Sequence, residues 1–256
     1  MSNKLRKRSL RKFSSAIICL AAVLLSSWIS FRPAAGLMSQ KESTVKLTKF
    51  TVKGNCQSRF RKAMSDFVFS SLKVEGNIMT EAYFESSDTT ALWIIERWDS
   101  QESLNSNLQT RQAKELAVMA NEILLTPPTI IYANDLEPLP KNAYLRKPKV
   151  TDNPFTAMLF VDTKQGMQEE FKKLYHQAMP GFRGEQGVIT YQLSQVTGDE
   201  TKFITYEKFR NEAAFQYHLN FPPIEPLIRF LRTSIKQPPF EKGLHNLIEF
   251  APLYRE

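Results

Sequence analysis

Sliding the chain against itself by 111 residues lays QSRFRKAM (57–64) on QEEFKKLY (168–175), so that Gln57 meets Gln168, Phe60 meets Phe171 and Lys62 meets Lys173. The same offset lays EGNIMTE on QGVITYQ and IERWDSQESLNSNL on YEKFRNEAAFQYHL, and it carries Pro127-Pro128 onto Pro238-Pro239. One constant shift across separate matches marks a duplication, and a duplicated chain must fold as two similar units. At 256 residues it is long for one core and comfortable for two.

Each copy reads in the same order. A strand (45–52; 156–161) precedes a helix whose apolar positions, Phe60, Met64, Phe67, Val68 and Leu72 in the first copy, recur at three- and four-residue spacing. Two β-rich runs follow (77–85 and 91–98; 189–196 and 202–209), joined by the polar turns SSDTT and TGDET. A second amphipathic helix and a short last strand (129–133; 244–250) close each copy. The order βαββαβ predicts an α+β chain of two ferredoxin-like units. Both helices lie on one face of such a sheet, so its other face needs a cover. PLPKNAYLRKPKVTDNP (138–154) breaks any regular element and reads as an interdomain linker. The expected organisation is a leader at 1–36, domain 1 at 43–140, a linker at 141–152 and domain 2 at 153–256.

The leader accounts for the charge. Of a net +8, seven basic residues (Lys4, Arg6, Lys7, Arg8, Arg11, Lys12 and Arg32) precede residue 36 with no acid among them, leaving about +1 for the rest. That remainder offers no footprint for nucleic acid. A basic start, the apolar run AIICLAAVLL and small residues at Ala34 and Gly36 follow the order of a secretory signal peptide cleaved after Gly36. The alternative is an uncleaved anchor in the inner membrane, since residues 13–31 nearly suffice to span a bilayer. Either way the expectation is export, with a bacterial periplasm as the compartment. Once Cys19 leaves with the leader, Cys56 is the remaining thiol and no intrachain disulfide can form.

A Gly-x-Ile, a polar turn, an apolar strand ending Glu-x-Trp and a helix with His nine residues beyond the Trp position together resemble the antibiotic biosynthesis monooxygenase (ABM) family. Here the frame reads EGNI, ALWIIERW, SQESLNSNL in one copy and QGVI, KFITYEKF, NEAAFQYHL in the other. The resemblance implies a dimeric α+β barrel, with sheets paired either within this chain or between chains as a homo-oligomer. It also implies an oxygenase acting on a flat aromatic or quinol-like ligand without a dedicated metal or flavin. In haem-degrading relatives the site resembles an Asn on the first strand, a Trp on the third and an iron-ligating His on the second helix. This chain has Trp98 with Asn107 in one copy and Phe209 with His218 in the other, and no Asn near Leu47 or Met158, so neither copy completes the haem set.

His218 is the candidate base or ligand-orienting residue, with Tyr206, Phe209, Tyr217, Trp98 and Asn107 as candidate substrate contacts. A neutral imidazole accepts a proton near neutral pH. The competing reading makes His218 a satisfied core histidine, Trp98 and Phe209 ordinary core aromatics, and Glu96 and Glu207 structural hydrogen-bond acceptors. His176 is expected at a helix surface and His245 without a partner; three histidines so spaced offer no dedicated zinc site. GFRGEQG (181–187) follows a helix and precedes a strand, the wrong order for a phosphate loop, and predicts a helix stop with Gly187 free to take positive φ.

Overall fold

A computed structural model describes residues 43–144, 149 and 152–252. The leader at 1–36, including the apolar run weighed as an anchor, lies outside the described residues. Among those described, no helix is long and apolar enough to cross a membrane.

The first copy runs β1 (Thr44–Thr51), α1 (Gln57–Ser71), β2 (Asn77–Glu85), β3 (Ala91–Trp98), α2 (Gln101–Leu108), α3 (Arg111–Ile123) and β4 (Thr129–Asp135). After a short α4 (Lys141–Tyr144), the second runs β5 (Phe155–Asp162), α5 (Gln168–Gly184), β6 (Val188–Val196), β7 (Lys202–Phe209), α6 (Glu212–Leu219), α7 (Glu225–Thr233), α8 (Pro239–Lys242) and β8 (Leu244–Ala251). The repeat survives in detail. Ladder irregularities between Asn77 and Met79 and between Val188 and Thr190 fall at matching positions.

The eight strands close into one antiparallel barrel in the order β1-β3-β2-β8-β5-β7-β6-β4. Each copy contributes four strands, and the copies meet at β2–β8, where Tyr83 faces Glu249, and at β4–β6, where Ala133 faces Val196. The bare face that each sheet exposes is thus covered by the other, within one chain.

Alternation along each strand divides the side chains between two environments. From β3, Trp93, Ile95 and Arg97 enter the barrel, while Leu92 and Ile94 pack beneath α1 and α3. From β7, Ile204, Tyr206 and Lys208 enter, while Phe203, Glu207 and Phe209 face α5 and α6. The barrel interior is packed, as small barrels are, and partly polar. Glu81 accepts from the Tyr83 hydroxyl, from Tyr206 at 2.5 Å and from Lys208 at 3.1 Å, and Lys208 also reaches Glu249 at 2.7 Å. Nearby, Arg97 pairs with Asp135 at 2.9 Å, and Ser194 donates to Asp135 at 2.6 Å. Through Glu81 with Tyr206 and Lys208, and through Asp135 with Ser194, these bonds join strands of opposite copies.

Three expectations need correction. The second helix of each copy is broken: Thr110 caps α3 by accepting from Ala113 N, and Pro222-Pro223 impose a 3-10 turn before α7. The linker holds a regular element, α4, whose Tyr144 hydroxyl accepts from Gln192 Nε2 at 2.6 Å beside the barrel. Gly187 does not take positive φ, whereas Gly76 does, at 80°. Gly187 is required for closeness instead: a Cβ there would lie 2.3 Å from the Ala214 Cβ. The Asn211 cap of α6, accepting from Ala214 N at 2.9 Å, holds that helix end against the strand.

Candidate functional site

In the second copy, the helix-facing side of the sheet gathers titratable groups in an apolar setting. His218, near the end of α6, is fully buried, its ring centroid 4.7 Å from Phe182, 5.3 Å from Tyr191 and 5.3 Å from Phe209. His218 Nδ1 lies 2.7 Å from Glu185 Oε1, and the Nε2 atom has no partner among the described residues. Glu185 follows α5 directly, as its C-cap. Beside the pair, Glu207 Oε1 accepts from the Tyr191 hydroxyl at 2.9 Å and from Thr205 at 2.7 Å, and Tyr175 bonds to Tyr191.

Burial governs the charges here. It lowers the His218 imidazole to about 4, so the ring is neutral near pH 7. It raises Glu207 to about 7. Burial and then the Glu207 charge raise Glu185 to about 7. An ionised Glu185 takes the Nδ1 hydrogen as its donor and leaves a lone pair on Nε2. A protonated Glu185 donates to Nδ1 and fixes the ring hydrogen on Nε2. The dyad therefore exposes a base or a donor at one atom, depending on pH near 7.

His218, Tyr175, Tyr191 and Glu207 line a cavity of about 30 Å³, otherwise walled by side chains such as Leu159, Leu227 and Phe240. That volume holds roughly one or two waters. A larger open groove of about 600 Å³ lies between α1 and α3, but its rim is a row of exposed ion pairs such as Lys62–Asp66.

Of the residues singled out from sequence, Phe209 joins His218. Tyr206 does not: one position from Glu207 on a strand, it points into the barrel, where its hydroxyl meets Glu81 and Tyr83. Tyr217, adjacent to His218 on a helix, is 61% exposed and packs on Phe221. Trp98 and Asn107 belong to the matching place in the first copy and meet there at Glu96. Trp98 Nε1 at 3.3 Å, Asn107 Nδ2 at 3.4 Å and Lys46 Nζ at 3.0 Å all donate to that carboxylate. Where Lys46 neutralises Glu96, the second copy has Ala157 opposite Glu207. Thr80 stands for Tyr191, Val74 for Glu185 and Met64 for Tyr175. The two sites thus share a glutamate and differ in nearly everything around it. His176 is exposed beside Glu137, while His245, expected without a partner, meets Glu85 at 3.2 Å between Trp93 and Phe160. Among the described residues no cluster of three or more His, Cys, Asp or Glu could hold a metal.

Glu185, Tyr191 and Tyr175 were not singled out from sequence. One signal for them exists: all three are places where the copies diverge from apolar or neutral to ionisable side chains.

The barrel built from two βαββαβ units, with ionisable groups held between sheet and helices, defines a paired ferredoxin-like fold. The profile for Antibiotic biosynthesis monooxygenase matches residues 44–117 and 154–225, more than half of the chain, and the chain belongs to that family. A proposed monooxygenase of Lactobacillus acidophilus superposes with a TM-score of 0.68 at 16% identity, over 81% of this chain and 94% of that one. A second, from Fusobacterium nucleatum, gives 0.69 at 15% identity over 81% and 92%. An anthrone oxidase-like protein gives 0.57 at 12% identity over 82% and 92%. At such identities these likenesses show the fold. An uncharacterized Synechocystis protein is 29% identical over 84 residues, which span 33% of this chain and 57% of that relative's length.

Proposed function

We propose that the second copy carries an oxygenase site in which His218 Nε2 removes a proton from a flat aromatic or quinol-like substrate. The observation that carries this reading is the buried Glu185–His218 pair with its unpartnered Nε2. Glu185 holds the ring and selects its tautomer, as the third member of a base–orienter arrangement does. The deprotonated ring is electron-rich enough to reduce dioxygen directly. A quinol that gains one oxygen atom leaves as a hydroxyquinone, and the second oxygen atom leaves as water. Both the electrons and the two hydrogens of that water come from the quinol, so the reaction balances without a further reductant.

The residues do not fit haem. Phe209 stands at the Trp position, and the first strand of this copy offers no Asn near Met158. No step here runs through that group.

Oxygen uptake by the full-length protein with a panel of quinols tests the proposal. His218→Ala should lower the rate by about 10²–10⁴, the usual contribution of a positioned base. Because Glu185 titrates at about 7, the rate should rise with pH through that value, and Glu185→Gln should abolish that rise. Equal rates in wild type and His218→Ala would remove His218 from the chemistry.

The small cavity favours a second reading, a noncatalytic binding or scaffold protein with relaxed sites. Titration with haem and with quinones, followed by absorbance, separates the two: saturable binding without turnover supports a binder. Export to the periplasm belongs to this proposal too, supported by the leader's charge and apolar run. N-terminal sequencing of the secreted fraction distinguishes a cleaved signal from a retained anchor.

A further inference from the structure

The His218 cavity is too small for the substrate class proposed above, and a second hollow lies close by. A groove of about 390 Å³ opens at one end of the barrel, lined by Ile131, Phe160 and Val196 among others, with Val161 and Phe203 beside it. Its volume is in the range of ligand pockets, and barrel mouths are places where such pockets form. Leu159 walls the His218 cavity and Val161 walls the groove. Two positions apart on β5, these side chains stand roughly 7 Å from each other.

One segment borders both hollows. Pro238, Pro239 and Lys242 line the groove, while Phe240 and Leu244 line the His218 cavity. The segment is pinned at both ends. Lys236 Nζ bonds Asp162 at 2.7 Å, and the Gly243 carbonyl accepts from Phe160 N at 2.9 Å. Gly243 approaches β5 so closely that a Cβ there would lie 2.4 Å from the Phe160 carbonyl oxygen. Between the pins, no side-chain hydrogen bond or ion pair among the described residues holds residues 237–242. Of the segment's side chains, Phe240 walls the His218 cavity from a four-residue helix and is 45% exposed.

We propose that the groove and the His218 cavity are two parts of one channel, and that Phe240 is the gate between them. Swinging α8 outward about its two pins withdraws Phe240 and joins the groove to the space beside His218 Nε2. The substrate ring then lies along β5, its flat part in the groove and its hydroxyl toward the dyad. This rests on the reading of His218 given above, but access to His218 is measurable without any turnover.

Diethyl pyrocarbonate acylates neutral imidazole, and peptide mass analysis reports each histidine separately. His176, with its side chain 80% exposed, is the internal reference. Phe240→Ala should raise the labelling rate of His218 roughly tenfold, the effect of removing about half of a buried phenylalanine's packing, with His176 unchanged. Ile228→Ala, in the same cavity wall but on α7, enlarges the cavity without withdrawing α8 and should raise the labelling rate less than Phe240→Ala does. An unchanged His218 rate in Phe240→Ala, or an equal or larger rise in Ile228→Ala, would overturn the gate. Faster labelling in Phe240→Ala together with no quinol-dependent oxygen uptake would uphold the channel and reject the oxygenase.

Discussion

Replacing Glu207 by Gln keeps the shape of a buried side chain while removing its ability to ionise. In the folded protein burial raises this carboxyl from 4.5 to about 7, a displacement worth about 3 kcal/mol. The sign follows from proton binding. Between pH 4.5 and 7 the folded chain keeps a proton that the unfolded chain has released. The stability tied to Glu207 is therefore full below pH 4.5 and is lost as pH rises through 7. In the Glu207→Gln variant the amide carbonyl oxygen would still accept from Tyr191 and Thr205. Urea unfolding at a series of pH values from about 4.5 to 8.5 reads the difference. Wild type and Glu207→Gln should match at the acid end, and the variant should be more stable by about 2–3 kcal/mol at about pH 8. His218 titrates with the opposite sign, its folded value lowered from 6.5 to about 4, so it costs stability as pH falls. That contribution is common to both proteins and cancels in the comparison. Glu185, raised by burial and in part by the Glu207 charge, is raised less in the variant and adds to the difference in the same direction. A difference that does not grow between about pH 5 and 8 would show that Glu207 is ionised at little cost, and the account of this site as an uncompensated buried acid would fail.

The other predictions concern the buried Lys46–Glu96 pair of the first copy and Tyr206, which sequence alone placed near the chemistry. Lys46→Ala should destabilise the chain by about 3–5 kcal/mol, because it strands the Glu96 carboxylate in a buried place; Lys46→Met combined with Glu96→Gln should recover most of that loss in the same urea assay. Tyr206→Phe should lower stability by about 1–2 kcal/mol through its lost bond to Glu81, yet leave quinol-dependent oxygen uptake within about twofold of wild type. A collapse of uptake in Tyr206→Phe at unchanged stability would put Tyr206 back in the site.

The duplication was legible because strand and helix periodicities repeat at one offset, and the need to cover two bare sheets followed from it. The face of each side chain was not. All eight residues of β3 are buried, since one side meets helices and the other meets the barrel interior. Burial on both faces removes the polar–apolar alternation that would say which way Tyr206 or Glu207 points. Glu185 was hidden for another reason. It is 33 positions from His218 in sequence and lies in a glycine-flanked helix end, where an acid reads as solvated. Only the closure of α5 against α6 brings it to 2.7 Å from the imidazole. The second-helix breaks at Thr110 and Pro222 were carried by capping and proline signals weaker than the apolar period running across them.

The asymmetry between copies follows from the cost of a buried carboxylate. A glutamate facing helices from the third strand of each unit must be neutralised or held protonated. The first copy uses Lys46, with Trp98 and Asn107 completing the shell, and a carboxylate so surrounded has its charge and lone pairs engaged by the protein itself. The second copy has Ala157 in the place of that lysine, and its acid is held instead by two neutral hydroxyls. Such an arrangement costs stability above about pH 7 and leaves protonation free to change near neutrality, which a purely structural half has no reason to retain. Both halves are needed to close the barrel. In the second half, Glu185 and Glu207 are both raised to about 7, the range in which a proton-abstracting site would operate.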